Sequence, residues 1–459
     1  MSSDKNVEVL LGNQRKAIIA LAIPLGIALL IQHINSFVDT LWVSGLGSDH
    51  MAAVGIIAPI YAAIVGVGNG LGIGISAAIS RYIGKGEPSS ANRMAAQGLM
   101  LAVAIALGST AVLLVTAEPV LRMFGAGEIL PLCMDYAVPI YAGTTFIMLS
   151  GVMSGMLRGE GAAKRSMIIQ TVGAIVNIVL DPILIYTFGM GVTGAACATI
   201  IALATSSVIP YYWYLVKKDT FVKIERSNFV MDRSARSDIL SVGLPEMLEL
   251  SLMSLFNVVL NYFVIICGGT DGVAIFTTSW KVVAICLVVP QAIGGALVSV
   301  CSAEYGMRRF DSISDAYRYS LRITFLAMVV VSLTAALLSG PIAMIFTTGD
   351  NTIQLRSGLQ HLILCMCVLM PFFSLVYPSS SLMQALRKAG QAMINTVFRN
   401  LLIVTLFAIV TFTIADIEWI WYMLIVSETI GGLMMWTHAR IVLKDTLRKE
   451  SRRTQSNIC

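Results

Sequence analysis

Two aspartates stand inside apolar runs with no lysine or arginine nearby in sequence to neutralise them: Asp39 within residues 32–47 and Asp181 within residues 177–199. A carboxylate without a partner in hydrocarbon is costly, so its presence points to function. Oxygen-bearing side chains accompany both acids. Gln32, Asn35 and Ser36 share a helical face with Asp39, and Asn177 precedes Asp181 by one turn. Asp39 lies eight residues before Gly47, Asp181 eight before Gly189, and Thr199 eight after Gly191. If these glycines mark outer turns, all three groups sit about 12 Å below the helix ends, at 1.5 Å of rise per residue. Two carboxylates with amide and hydroxyl oxygens form a hard, oxygen-rich set suited to Na⁺ or a proton. The structural alternative is a pair of protonated acids hydrogen-bonded for packing.

The elements that position these groups are membrane spans. The 459 residues are 57% hydrophobic and only 12% charged, about half the charge of an ordinary soluble domain, and the mean hydropathy is +0.81. Twelve apolar runs are long enough to cross a bilayer, near residues 17–45, 52–82, 94–118, 130–157, 166–187, 192–216, 239–266, 272–304, 315–340, 357–385, 391–413 and 419–445. They are too long for barrel strands, which leaves helices. Met1 to Arg15 is polar and does not read as a cleavable leader. Lysine and arginine concentrate after the even-numbered spans, as in Arg81, Lys85 and Arg93, or Lys217, Lys218, Lys223 and Arg226, while the opposite loops offer only Arg122 and Arg356. The positive-inside rule therefore expects both termini in the cytoplasm. The net charge of +5 reflects this topology and gives no reason to expect nucleic acid.

The chain repeats itself. Pro24 and Pro245, Gly47 and Gly269, and Gly84 and Gly306 correspond at 221 or 222 residues, and "LRGEG" at Leu157 answers "LRKAG" at Leu386. Six spans in each half make this a parallel repeat, a common plan in secondary transporters. The expected architecture is all-α and integral to the membrane, with twelve transmembrane helices in two pseudo-symmetric six-helix lobes. Residues 1–216 form the first lobe, 217–238 a cytoplasmic inter-lobe loop, 239–445 the second lobe and 446–459 a cytoplasmic tail. Positions matching Asp39 hold Leu260 or Asn261, so the acidic site is not duplicated. The second half instead mixes acids and bases. Depth permits the ion pairs Glu249–Arg399 and Glu428–Lys281, read as structural in preference to a second cation site.

Other signals carry less. "GVGNGLGIG" at residues 66–74 fails the spacing of a dinucleotide loop and reads as close helix packing. Eight scattered cysteines and four dispersed histidines suggest no redox or metal centre, so the only ion expected is Na⁺, at Asp39, Asn177, Asp181 and Thr199. No converging acid, base and metal groups argue for a membrane-embedded enzyme. A flippase for lipid-linked precursors would want cationic residues in its cavity, and the first lobe lacks them within its spans.

The chain resembles multidrug and toxic compound extrusion transporters, in particular the DinF-like archaeal and bacterial branch. "FVDTLWVSGLG", "SAAISRYIGKG", "LRGEG", "NIVLDPILIYTFGMGVTGAACAT" and "VGLP" carry the resemblance over nearly the whole chain. It implies a monomer in the cell membrane that exports small amphiphilic or cationic substrates in exchange for Na⁺ or H⁺, with no other cofactor. It places the cation site on Asp39, Asn177, Asp181 and Thr199, with Tyr136 nearby and Pro24 as a bend in the first helix. Where other branches carry an acid in the seventh helix this chain has Met253, and Ser154 stands where close archaeal relatives carry Asn.

Overall fold

A computed structural model describes residues 3–347 and 353–456, so residues 457–459 of the expected tail lie outside the described residues. Among the described residues there are fifteen α-helices and no strand. Their order is α1 Ser3–Leu11, α2 Gln14–Ser44, α3 Ser48–Gly84, α4 Pro88–Met123, α5 Leu130–Ala142, α6 Thr144–Gly159, α7 Ala163–Pro182, α8 Gly191–Tyr211, α9 Arg233–Cys286, α10 Val288–Gly306, α11 Phe310–Leu337, α12 Ser339–Phe346, α13 Arg356–Ala385, α14 Ala389–Thr413 and α15 Ile417–Ser456.

These resolve into twelve spans. α5 and α6 form one span bent by 48° at Gly143. α9 has 54 residues, about 80 Å of helix and far more than one bilayer needs. It breaks at Gly269, whose φ of 59° and ψ of −157° suit only a residue without Cβ. Its second part continues through α10 as the eighth span. α1 and α12 are too short to cross. The chain is an all-helical, multi-pass membrane protein with two pseudo-symmetric six-helix lobes. Its outward faces are correspondingly apolar: Val112, Val115, Leu326 and Leu337 are 62%, 81%, 65% and 83% exposed, side chains that need lipid around them.

Packing divides the chain into two compact units, Met1–Ser254 with Ser302–Met307, and Leu255–Cys301 with Arg308–Cys459. The division lies inside α9, later than the loop at 217–238. The glycines of α3 explain this. A Cβ on Gly66, Gly70 or Gly74 would stand 2.9 Å from Leu250 Cβ, 2.6 Å from Met247 N and 2.6 Å from Ile239 O, all on the start of α9. A Cβ on Gly68 or Gly72 would meet α6, at 3.1 Å from Met148 Cα and 2.5 Å from Gly151 O. The two sets repeat every four residues and are offset by two, so they lie on opposite faces of α3. The run "GVGNGLGIG" is thus a two-sided packing seam, and it ties the beginning of α9 to the first unit.

The polar segment before α9 is strapped down as well. Glu160, buried in the turn between α6 and α7, accepts from Val222 N at 3.0 Å and from Tyr214 Oη at 3.4 Å. Arg165 holds Asp219 at 2.8 Å, Lys223 N donates to Asn92 Oδ1 at 2.8 Å, and Gln97 Nε2 donates to Val230 O at 2.7 Å. At the start of α9, Asp238 pairs with Arg81 of α3 at 3.2 Å.

The core of the first unit gathers Ile57, Leu121, Ile140, Tyr141 and Ile185. That of the second gathers Val264, Met366, Phe407 and Leu424 around Phe276, which stacks on Trp421 with centroids 5.7 Å apart.

Candidate cation site in the first lobe

α2 packs along α7, and each brings an amide and an acid one turn apart to the shared face: Asn35 and Asp39 on α2, Asn177 and Asp181 on α7. Asn35 Nδ2 donates to Asn177 Oδ1 at 2.8 Å, and Asn177 Nδ2 donates to Asp181 Oδ1 at 3.0 Å. Each amide thereby fixes the next group along the chain Asn35, Asn177, Asp181. The carboxyl of Asp39 lies beside that of Asp181 and interacts with it directly. Asp181 is fully buried and Asn177 is 4% exposed, while Asp39 and Asn35 are half-buried.

The surroundings hold this arrangement. Beyond Asp181 and Pro182 the helix widens over Ile183–Thr187. Tyr186 in that turn donates its hydroxyl to Trp42 O, and the two rings meet edge to face at 6.2 Å. The C-terminal part of α2 is therefore pinned to the turn that follows α7, beyond the acids. Tyr136 of α5 is 6% exposed and close enough to feel the charges of both acids, and Tyr61 of α3 neighbours Asp39.

Three buried oxygens in the cluster have no hydrogen-bond donor: Asn35 Oδ1, Asp39 Oδ1 and Asp181 Oδ2. Buried acceptors left unpaired are expensive. A hard cation among them, or a proton on one carboxyl, would satisfy them. The donor set fits either, and it contains no sulfur or imidazole that would favour a softer metal.

The residues expected from sequence do not all join this cluster. Asp39, Asn35, Asn177 and Asp181 are brought together, with Tyr136 beside them. Thr199, on α8, is half-buried and donates to Ala195 O at 3.1 Å, one turn back, with no hydrogen bond to either acid. Gln32 is exposed, one turn from Asn35. Pro24 lies in a helix that is continuous from Gln14 to Ser44. Tyr61 was not expected; its signal is a tyrosine deep in a span, away from the interfaces where tyrosines usually sit.

The second lobe corrects the expected ion pairs. Arg399 of α14 bonds Glu428 of α15 at 3.4 Å, with side chains 8% and 5% exposed. α14 and α15 pack against each other, and Gly431 leaves room for the Arg399 stem to pass. Lys281 is exposed and pairs with no described residue. Glu249 lies on the part of α9 that belongs to the first unit.

The MatE family model matches residues 24–183 and again 245–410. The two matches begin at Pro24 and Pro245, the offset already visible in the repeat. Among curated proteins, the FAD transporter of Shewanella oneidensis is 26% identical over 70% of this chain and 71% of its own length. The multidrug export protein MepA of Staphylococcus saprophyticus is 27% identical over 75% of this chain and 74% of its own. Among solved structures, the outward-facing conformation of a multidrug resistance MATE family transporter of the MOP superfamily superposes with a TM-score of 0.94 at 32% identity, covering 98% of this chain and all of that one.

Proposed function

The chain belongs to the MatE family, a family of transporters and not of enzymes, and from that premise we propose that it exports small amphiphilic or cationic molecules across the cell membrane in exchange for Na⁺ or H⁺. The observation that carries the coupling reading is the pair of adjacent carboxyls, Asp39 and Asp181, oriented through Asn177 and Asn35 and short of hydrogen-bond donors. The MepA relative, a multidrug export protein by name, supports a broad substrate class.

In this reading the two acids face the outer solution in the outward-open state. A cation or proton entering there neutralises them and supplies what the three oxygens lack. Neutralised acids no longer repel each other, so α2 draws onto α7 and bends at Pro24, and the substrate is expelled outward. The ion leaves on the cytoplasmic side after the lobes rearrange. It biases the cycle only through its different affinities for the two states. Thr199 joins the site in this second state, with Gln32 beside it. The protein works as a monomer with no further cofactor. The basic loops argue for both termini in the cytoplasm. Labelling of cysteines introduced at Lys218 and Met190 tests that orientation, with the first expected inside and the second outside; reaction of both from one side would overturn it.

The decisive experiment is substrate efflux from proteoliposomes with Na⁺ and H⁺ gradients imposed independently. One gradient should drive efflux by wild-type protein, and Asp39→Asn should abolish the response. Full gradient-driven efflux by Asp39→Asn would remove Asp39 from the coupling site.

A further inference from the structure

Far from the acids in sequence, the second unit carries an open groove of about 540 Å³ between α14 and α15, lined by Asn395, Ile430, Leu433, Met434, His438 and Ile441, with Thr437 among them. The α15 residues fall at 430, 433, 434, 437, 438 and 441, the stripe of a single helical face. Several of them are open to the surroundings: Ile430, Leu433 and Ile441 are 46%, 44% and 52% exposed. A lone apolar stripe on a span needs only lipid tails. This one also carries a polar end. Asn395 is buried, and its Oδ1 lies 3.0 Å from His438 Nδ1. With that oxygen accepting, the imidazole holds its proton on Nδ1, and no described residue bonds Nε2. Asn395 Nδ2 is held by Met435 Sδ at 3.6 Å. Two residues on, the Arg440 guanidinium lies over the Trp436 ring at 4.5 Å.

Depth gives this arrangement its meaning. α15 starts at Ile417, and His438 is 21 residues further on, about 31 Å along the axis, the full thickness of a hydrocarbon core. Ile430 and Leu433 lie about 20 to 24 Å along, within the inner half of that core. Trp436 stands where interfacial aromatics gather, and Arg440 reaches the headgroup level. The groove therefore presents aliphatic side chains at acyl-chain depth and the imidazole Nε2 of His438 at headgroup depth, with the Arg440 guanidinium just beyond it; the Thr437 hydroxyl donates to Leu433 O of its own helix.

We propose that this groove is a specific site for one anionic phospholipid with a hydroxyl-bearing headgroup, in the leaflet at the C-terminal end of α15, its acyl chain lying along Ile430, Leu433 and Met434, a headgroup hydroxyl donating to His438 Nε2 and its phosphate facing the Arg440 guanidinium. Asn395 orients the imidazole and does not itself need to touch the lipid. This site is independent of the Asp39–Asp181 pair and of the transport reading.

Native mass spectrometry of delipidated full-length protein titrated with phosphatidylglycerol tests the site. Wild-type protein should retain one tightly bound lipid beyond the nonspecific background, and phosphatidylcholine should be held more weakly. His438→Leu should weaken that occupancy about fivefold, the worth of one net hydrogen bond. Leu433→Trp fills the groove without touching a polar group and should displace the lipid entirely, which guards against a loss caused by His438 chemistry alone. Circular dichroism and monodispersity of both variants report that they are folded. Glycerol 3-phosphate, which has the headgroup chemistry but no tail, should not bind; saturation by it would make the site one for a free phosphate and overturn the lipid assignment. Wild-type lipid occupancy in both folded variants would overturn the site altogether.

Discussion

Asp181→Asn is the sharpest perturbation of the candidate site. Asp181 is fully buried, receives Asn177 Nδ2 at 3.0 Å on one oxygen and has no donor on the other. Asparagine keeps the volume and can still accept from Asn177, so the fold should survive while one negative charge is lost. At about 4 Å and an effective dielectric of about 20, one carboxylate attracts a monovalent cation by about 4 kcal/mol. Part of that is not recovered as affinity in the wild type, because the ion-free site also suffers repulsion between Asp181 and Asp39. Taking half as the net effect leaves about 2 kcal/mol, or roughly thirtyfold weaker cation binding. Trp42 provides the readout: it lies three residues beyond Asp39 and its ring meets Tyr186. Its environment should change when α2 moves toward α7, so tryptophan fluorescence during Na⁺ titration, repeated at acidic and alkaline pH, measures affinity and separates ion from proton. Efflux from proteoliposomes should fall in parallel. An unchanged fluorescence titration together with wild-type efflux in Asp181→Asn would refute the assignment of Asp181 to the coupling site.

Two further predictions concern buried charge away from the site. Burial pushes the carboxyl of Glu160 up to about 7 from an ordinary 4.5, with the Val222 N–H and Arg165 pulling partly the other way. The folded-state value is the higher one, so the unfolded chain releases its proton first and stability should fall as pH rises from about 4.5 to about 7, by on the order of 3 kcal/mol; thermal unfolding of Glu160→Gln across this range should lack that slope, and parallel curves would show that Glu160 does not titrate there. In the second lobe, Arg399→Leu should leave Glu428 buried and alone at a cost of about 3 to 5 kcal/mol, while Arg399→Leu with Glu428→Leu should recover most of it; a double variant no more stable than the single one would mean that the pair contributes more than mutual neutralisation.

The spans and the two acids were legible because the bilayer imposes severe rules. Hydrocarbon thickness fixes span length, backbone satisfaction fixes helices, and the cost of charge marks Asp39 and Asp181. Residue counts to the nearest turn also place each group along its own helix. Depth is one coordinate of three. It placed Asp39, Asp181 and Thr199 on one level but carries no azimuth, and the Thr199 hydroxyl bonds its own helix at Ala195 O. Depth likewise allowed Glu428 to meet Lys281 and Arg399 to meet Glu249. The adjacency of α14 and α15, which residue counting cannot supply, gave Arg399 to Glu428. The repeat, by contrast, reappears in the two matches of the family model, which begin 221 residues apart at Pro24 and Pro245.

The glycine run of α3 shows how much more such a pattern holds than its composition suggests. Glycines every four residues announce close packing; glycines every two residues over Gly66–Gly74 announce it on both sides. α3 is accordingly clasped by α6 and by the start of α9, backbone against backbone at several points. Sliding it would drive a peptide group into a neighbouring one, and close-packed interiors resist that strongly. α2 is held differently. Ile19, Ile23, Ile27, Leu30, Ile34, Phe37 and Leu41 form a continuous exposed stripe along it, and the polar side chains of its opposite face meet α7 through Asn35 and Asp39. The contact that an entering cation would alter is therefore on the helix with an unencumbered face, while its neighbour is locked. In the proposed mechanism, that division of labour singles out α2, which carries Pro24 in its N-terminal part, as the element that would move.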